Sequence, residues 1–255
     1  MSKVKSDLEI LVLREGGKHL GDVLHKVSLL VKPGVKASEL NSEAERMIRE
    51  FGDEPSFLNY TPFGADRPYP ATLCVSVNDE IVHGIPNEVE KILVEGDLVG
   101  LDLGLRHKGL FVDAAVTVPV GVIDDIGLKL IDITEKSLYV GINECVIGNR
   151  IGDIGCAIEK FAKPYKFGIV EELGGHGVGH KVHEDPHIAN YCMKDRGVKI
   201  VEGMVLALEP ILNEGSKHIY LDDDGYTFKT ADGKRSAHFE HTIVVTKNGP
   251  EILTI

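Results

Sequence analysis

Apolar residues recur at helical spacing from Asp7 to Leu30, at Leu8, Leu11, Val12, Leu20, Val23, Leu24 and Val27. They predict a long amphipathic helix that Pro33-Gly34 stops and Gly16-Gly17 weakens in its middle. A second helix is expected behind a Ser38 cap, with Leu40, Ala44, Met47, Ile48 and Phe51 buried and Gly52 ending it. Residues 53–72 are rich in Pro, Gly and Asp and read as an ordered loop. Leu73–Val77 and Ile81–Val82 read as strands, ahead of His83-Gly84-Ile85-Pro86. Asp97 to Gly121 then reads as a hairpin of two apolar strands turning at Arg106-His107-Lys108-Gly109.

Each hairpin strand carries one acid in an apolar run, Asp102 in Val99–Leu105 and Asp113 in Leu110–Val118. With the turn centred between His107 and Lys108, the two face each other with Cβ atoms roughly 4.5–5.5 Å apart. Two buried carboxylates that close need a shared proton or a cation between them.

Helical patterning returns over Ile126–Val146, pauses at Gly148, and resumes through Ile154, Ile158 and Phe161. At an offset of 114, Leu24 meets Leu138, Gly34 meets Gly148, Leu40 meets Ile154 and Met47 meets Phe161. Helix, glycine, helix and strands thus occur twice, which suggests two related halves of one α+β domain. Strands are expected over Val205–Leu212, apolar but for Glu209, and over His238–Thr246 around Glu240. Asp222-Asp223-Asp224-Gly225 reads as a solvated turn, since the spacing and distal Glu of a calcium loop are missing.

With 255 residues there is enough chain for one large core. The net charge of −12 argues against a general nucleic-acid binder. No apolar run reaches membrane-spanning length, and the start is not a secretory signal. Cys74, Cys145, Cys156 and Cys192 form no CxxC pair, so a disulfide framework is not expected. Cys145 and Cys156 read as core residues, and the cytoplasm fits.

Gly174-Gly175-His176-Gly177-Val178-Gly179-His180, followed by His183, combines close-approach glycines with three histidines in eight positions. A phosphate cradle is the competing reading, but no Lys-Ser/Thr follows. Glu209 and Glu240 repeat the theme of a lone acid in a strand built for burial; a structural ion pair is the alternative for either. Asp102, Asp113, His176, Glu209 and Glu240 together make four carboxylates and one imidazole. That set suits Mn, Fe(II), Co or Zn, and bridging carboxylates suit two ions roughly 3.5–4 Å apart. The chemistry implied is hydrolysis of an acyl or phosphoryl bond.

The motifs VNDEIVHGIP, GDLVGLDLGLRHKGLFVDAAVTV, GGHGVGHKVHEDP, EGMVLALEP and FEHTIVV resemble the type I methionine aminopeptidases. The likeness runs in order from about Asp7 to the end. It implies the pita-bread fold, pseudo-twofold αββ halves around a curved antiparallel sheet, as one catalytic domain over residues 1–255 with about the first six disordered. It further implies that Asp102 chelates one of two divalent ions, Asp113 and Glu240 bridge both, and His176 and Glu209 complete the second. Glu209 would shuttle a proton while His83 and His183 contact the scissile amide. Cys74, Tyr69 and Tyr226 would line the methionine pocket. Asn78, Thr117 and His241 are weighed as orienting residues against structural roles. DRPYP departs from the more usual glycine-tyrosine-proline pattern, and Val182 stands where many relatives carry an aromatic.

The substrate so implied is the N-terminal methionine of nascent chains whose second residue is small, met in the cytoplasm by a monomer that associates at most transiently with the ribosome. One rival keeps the fold but acts as an Xaa-Pro aminopeptidase, prolidase or creatinase; those relatives usually carry an extra N-terminal domain. The other is an inactive binding protein, which predicts missing ligands.

Overall fold

The computed structural model describes residues 4–62 and 64–255. In chain order its elements begin with α1 (Asp7–Ser28), α2 (Ala37–Glu50), β1 (Glu54–Pro55), β2 (Leu73–Val77), β3 (Glu80–Val82), β4 (Leu98–His107), β5 (Leu110–Pro119), α3 (Asp125–Asn143) and α4 (Ile151–Ala162). After a 3-10 turn at Lys163–Tyr165 come β6 (Gly168–Ile169), β7 (Gly174–Gly177), β8 (Glu184–Ala189), β9 (Val205–Leu208) and β10 (Ile211–Asn213). The chain closes with β11 (Ile219–Leu221), β12 (Phe228–Thr230), β13 (Ser236–His238), β14 (Glu240–Thr246) and β15 (Gly249–Ile252).

The expected disorder of the first six residues does not extend to Lys5 and Ser6; residues 1–3 lie outside the described ones. Ser6 caps α1, accepting from Glu9 N–H while the Glu9 carboxylate accepts from Ser6 N–H at 2.7 Å. Lys5 is buried, its Nζ 2.8 Å from Glu184.

The glycines inside α1 are close-approach positions. A Cβ on Gly16 would sit 2.7 Å from His107 Cβ, and one on Gly17 only 2.4 Å from the Leu253 carbonyl oxygen. Gly17→Ala should therefore lower stability by about 1–3 kcal/mol despite alanine's better helix propensity. The urea midpoint checks this, and a midpoint equal to or above wild type would refute it.

The N-cap of α2 is Lys36, not Ser38, because Glu39 folds back to accept the Lys36 N–H at 3.2 Å. Leu40, Ala44 and Ile48 are buried as expected, but Phe51 is 38% exposed and stacks on His19 with ring centroids 4.2 Å apart. The repeat at offset 114 has a physical counterpart here. Gly34 and Gly148 both take positive φ, +90° and +103°. Lys36 and Arg150 both precede a helix whose third residue, Glu39 or Asp153, caps it by accepting their N–H. Each also forms an isolated bridge, to Ile92 and to Lys199.

The main sheet runs β1-β4-β5-β14-β9-β7-β8, antiparallel throughout, with β2 also on β4 and β15 also on β14. Its hairpin turns one residue later than the spacing suggested, which moves every cross-strand partner by two. Lys108 (φ +46°) and Gly109 (φ +90°) make a two-residue turn of the left-handed kind that matches strand twist. Asp102 therefore opposes Ala115, and Asp113 opposes Gly104. The two acids are diagonal neighbours on one face rather than a facing pair.

Alternation along β4 sorts the two faces. Val99, Leu101, Leu103 and Leu105 pack into the core shared with α1 and α2, leaving Gly100, Asp102 and Gly104 on the other side. A second core joins Leu138 and Ile142 of α3 and Ile154 and Ile158 of α4 to Leu206, Leu208 and Ile243. The expected strand Val205–Leu212 is interrupted at Glu209-Pro210, since Pro210 has no N–H for a ladder. The one expected over His238–Thr246 is split at Phe239.

Cys156 is not a plain core thiol, for it is disulfide-bonded to Cys192, 36 residues on. The approach depends on Gly155, where a Cβ would lie 2.3 Å from the Ala189 carbonyl oxygen and 2.5 Å from that of Tyr191. Cys145 is a buried free thiol, as expected.

Candidate metal centre

Sheet register brings the chemistry-bearing side chains together. Asp102 opposes Ala115, and Ala115 in turn opposes Glu240. One row along, the Asp113 N–H donates to Thr242 Oγ1 at 2.9 Å and that hydroxyl donates to Asp113 O at 2.7 Å. Thr242 opposes Ala207, and Ala207 opposes His176. Opposed residues share a face, so Asp102, Asp113, Glu240 and His176 all project to the side away from the α1–α2 core. Glu209, two residues beyond Ala207, joins them just past the end of β9. Ala115 and Ala207 stand between the polar side chains. Pairing of β7 with β8 slips by two residues across His176, a local irregularity that re-aims it.

Ligand atoms of Asp113, His176 and Glu240 lie within 4.8 Å of one another. His176 Nε2 is 3.6 Å from Glu209 Oε1 and 3.9 Å from Glu240 Oε1. Its Nδ1 lies 2.9 Å from Gly177 O, so Nδ1–H donates to that carbonyl and Nε2 is turned to the carboxylates. Histidines that bind metals are held in this way.

Burial dominates the electrostatics. It pushes Asp102 up to about 7. Asp113, Glu209 and Glu240 rise well above the usual carboxyl range, through burial first and then the neighbouring carboxylates. Burial holds His176 down to about 3, with His183 as a second cause. Asp102 Oδ1, Asp113 Oδ1 and Glu240 Oε1 are buried without a hydrogen-bond partner among the described residues. Buried polar atoms are nearly always paired. Three orphaned carboxylate oxygens around one unprotonated imidazole nitrogen fit a divalent cation.

All five residues line a narrow pocket of about 110 Å³, walled by Phe57, Tyr60, Pro62, Tyr69, Cys74 and Tyr226. That is smaller than the roughly 150 Å³ cavity that accepts a benzene ring. Tyr69 OH donates to Gly84 O at 2.9 Å and Tyr226 OH to Arg67 O, so both phenols turn their hydroxyls away and offer ring surface. Arg67, of the DRPYP loop, is itself fixed by Glu88 and by Asp224 O. Val182 is buried against this apolar cluster. The pocket opens past His83, His176, His183 and Glu209 into a cleft of about 630 Å³.

His83 adopts φ +59°, uncommon for a histidine, and desolvation holds its pKa to about 4. His183 stands exposed at the mouth, its ring 4.6 Å from that of His176 and its Nδ1 3.3 Å from Tyr60 OH. The loop holding it is anchored by Glu184, which accepts from Lys181 N–H at 2.9 Å and pairs with Lys5.

The residues weighed as orienting groups lie elsewhere. Asn78 bonds Asp97 and the Leu98 N–H. Thr117 braces the His238 backbone from both sides. His241 turns to Thr254, 2.9 Å away, on the opposite face. Thr242 does the bracing expected of them. His238 was not anticipated, yet its buried Nε2 lies 3.6 Å from Glu209 Oε2. The only signal was its position two before Glu240, readable once the strand is known to break between them. Phe57 and Tyr60 also went unanticipated, inside a stretch legible only as loop.

A family model described as metallopeptidase family M24 matches residues 12–247. The methionine aminopeptidase of Clostridium perfringens is 43% identical over 99% of this chain and 98% of its own. The crystal structure of the methionine aminopeptidase of Thermotoga maritima superposes with a TM-score of 0.93 at 38% identity, covering 100% of this chain and 99% of that one. An Xaa-Pro dipeptidase from Bacillus anthracis shares the fold at 23% identity, with a TM-score of 0.77 over 98% of this chain and only 61% of that one.

Proposed function

The chain belongs to metallopeptidase family M24, and we propose that it is a methionine aminopeptidase that hydrolyses the peptide bond after an N-terminal methionine. The observation that carries this reading is a small pocket, walled by apolar side chains and lined by the acidic cluster, that opens into a much larger cleft. One thin side chain fits the pocket and the remaining peptide has room only in the cleft, so the bond presented to the cluster is the first. Xaa-Pro hydrolysis is not favoured, since relatives near 40% identity over the full length are methionine aminopeptidases.

As a metallopeptidase the chain binds divalent metal. Asp102, Asp113, His176, Glu209 and Glu240 would hold two ions in the cluster. Ions so held would supply Lewis-acid polarisation of the peptide carbonyl and lower the pKa of water. Glu209, its carboxyl pushed up by burial, holds and passes a proton at its carboxylate oxygens. His83 and His183 donate hydrogen bonds where negative charge develops on the scissile carbonyl oxygen. Tyr69, Tyr226 and Cys74 hold the methionine side chain. No helix among the described residues is long and apolar enough to cross a membrane, which suits nascent chains met in the cytoplasm.

The deciding experiment is hydrolysis of Met-Ala-Ser, Met-Leu-Ser and Xaa-Pro peptides before and after chelation, then with Mn or Co restored. The expected result is cleavage of Met-Ala-Ser ahead of the others, lost on chelation and recovered with metal. Preference for Xaa-Pro, or activity indifferent to thorough chelation, would overturn the reading.

A further inference from the structure

A second cluster of ligating side chains lies on the opposite face of β4, remote in chemistry from the centre above. His19 of α1, Asp53 just after α2 and His107 at the end of β4 converge so that one ligand atom of each lies within 4.8 Å of the others. Asp53 presents one oxygen to each ring, Oδ2 at 2.7 Å from His19 Nδ1 and Oδ1 at 2.6 Å from His107 Nδ1. The side chains of Asp53 and His107 are 3% and 6% exposed, and that of His19 is 18%. This is a built site rather than a chance surface meeting.

Three elements hold it. Gly16 lets α1 lie against His107, and His19 follows one turn later on the same side of the helix. Phe51 stacks on the His19 ring with an interplanar angle of 11°, fixing its plane. The His107 and His19 rings stand at 89° to each other with centroids 5.1 Å apart, so their Nδ1 atoms approach Asp53 from different directions. On its far side His107 Nε2 lies 3.1 Å from Glu15 Oε2. A metal-bound imidazole whose other nitrogen faces a carboxylate is a recurrent arrangement, because the carboxylate fixes the tautomer and makes the ring a better donor.

We propose that His19 Nδ1, His107 Nδ1 and the Asp53 carboxylate form a second metal site for a divalent late first-row transition ion such as Zn(II). Two imidazoles and one carboxylate suit that class, and exclude Mg and Ca as preferred occupants. Gly52, Asp53, Arg106 and His107 border an open surface groove of about 380 Å³, from which water supplies the remaining ligand. The ion clamps α1, the end of α2 and the hairpin tip, a structural role that needs no substrate. The alternative is a purely hydrogen-bonded His–Asp–His bridge.

The test is zinc counting by plasma mass spectrometry on the full-length protein after equilibration in buffered Zn(II), alone and without other metal. His19→Ala, His107→Ala and wild type are compared, with Met-Ala-Ser hydrolysis measured alongside. The expected result is one zinc equivalent fewer per chain in each variant, with hydrolysis by His19→Ala unchanged. Equal zinc content in folded variants and wild type would overturn the site. Should a variant fail to fold, anomalous diffraction at the zinc edge from wild-type crystals decides alone. A peak between Asp53 and the two rings supports the site, and its absence there refutes it.

Discussion

Glu240→Gln is expected to lower kcat/KM for Met-Ala-Ser at least about 10³-fold, some 4 kcal/mol of transition-state stabilisation, while making the metal-free protein more stable at alkaline pH. The first effect follows from its shared place in the cluster, since an amide offers one neutral oxygen where the carboxylate offers two charged ones. The second follows from burial. Asp113, Glu209 and Glu240 have folded pKa values well above their usual range, and Asp102 rises to about 7. For a carboxyl raised on folding, the native state keeps its proton where the unfolded chain has lost it. Stability is thus full below about pH 4 and is lost as pH rises through the folded values. Between about pH 7 and 8.5 the buried imidazoles, held near 3 to 4, are neutral in the native state and mostly neutral in the unfolded one, and what they contribute is common to wild type and variant. In that window the metal-free wild type should weaken with rising pH and Glu240→Gln should weaken less. A gain of about 1 kcal/mol corresponds to roughly 2–4 °C in Tm for a chain of this size. Thermal melts at pH 7 and 8.5, with and without chelator, read it directly. A variant that melts lower than wild type without metal would show Glu240 to be a structural partner rather than a confined charge.

His83→Asn is expected to cost about 10²–10³-fold in kcat, the range for removing one transition-state donor, with KM little changed. Asn is chosen because it tolerates the left-handed conformation that His83 adopts at φ +59°. The fold should therefore survive, and an unaltered urea midpoint will show it. Because desolvation holds His83 near 4, the imidazole is neutral at pH 7 and carries one N–H to donate. A loss confined to KM would make His83 a binding group for the ground state alone.

Much of this centre could be read from residue types before any coordinates, and the reason is physical. Acids are rare in apolar strands, so Asp102, Asp113, Glu209 and Glu240 announce themselves one by one. Their mutual placement was less legible. The hairpin register depends on which two residues take positive φ, and Lys108-Gly109 does so where His107-Lys108 was expected. The error left the acids on one face only because a two-residue shift preserves the alternation; an odd shift would have separated them. The break at Phe239 leaves little local trace, whereas Pro210, with no N–H for a ladder, was a local sign of the other that the apolar run concealed. Little local trace is left, too, by the Cys156–Cys192 bond, which joins segments that only the fold brings together. His19, Asp53 and His107 come from three unrelated patterns, and nothing in their spacing predicts that they meet.

The ladder that builds the sheet also sets the spacing of the centre. Asp102, Ala115 and Glu240 share one rung across β4, β5 and β14, and Thr242, Ala207 and His176 share another across β14, β9 and β7. Intervals between these side chains are therefore dictated by strand-to-strand distance, not by the posture of a loop. Such scaffolding is indifferent to longer connections but intolerant of a slipped strand.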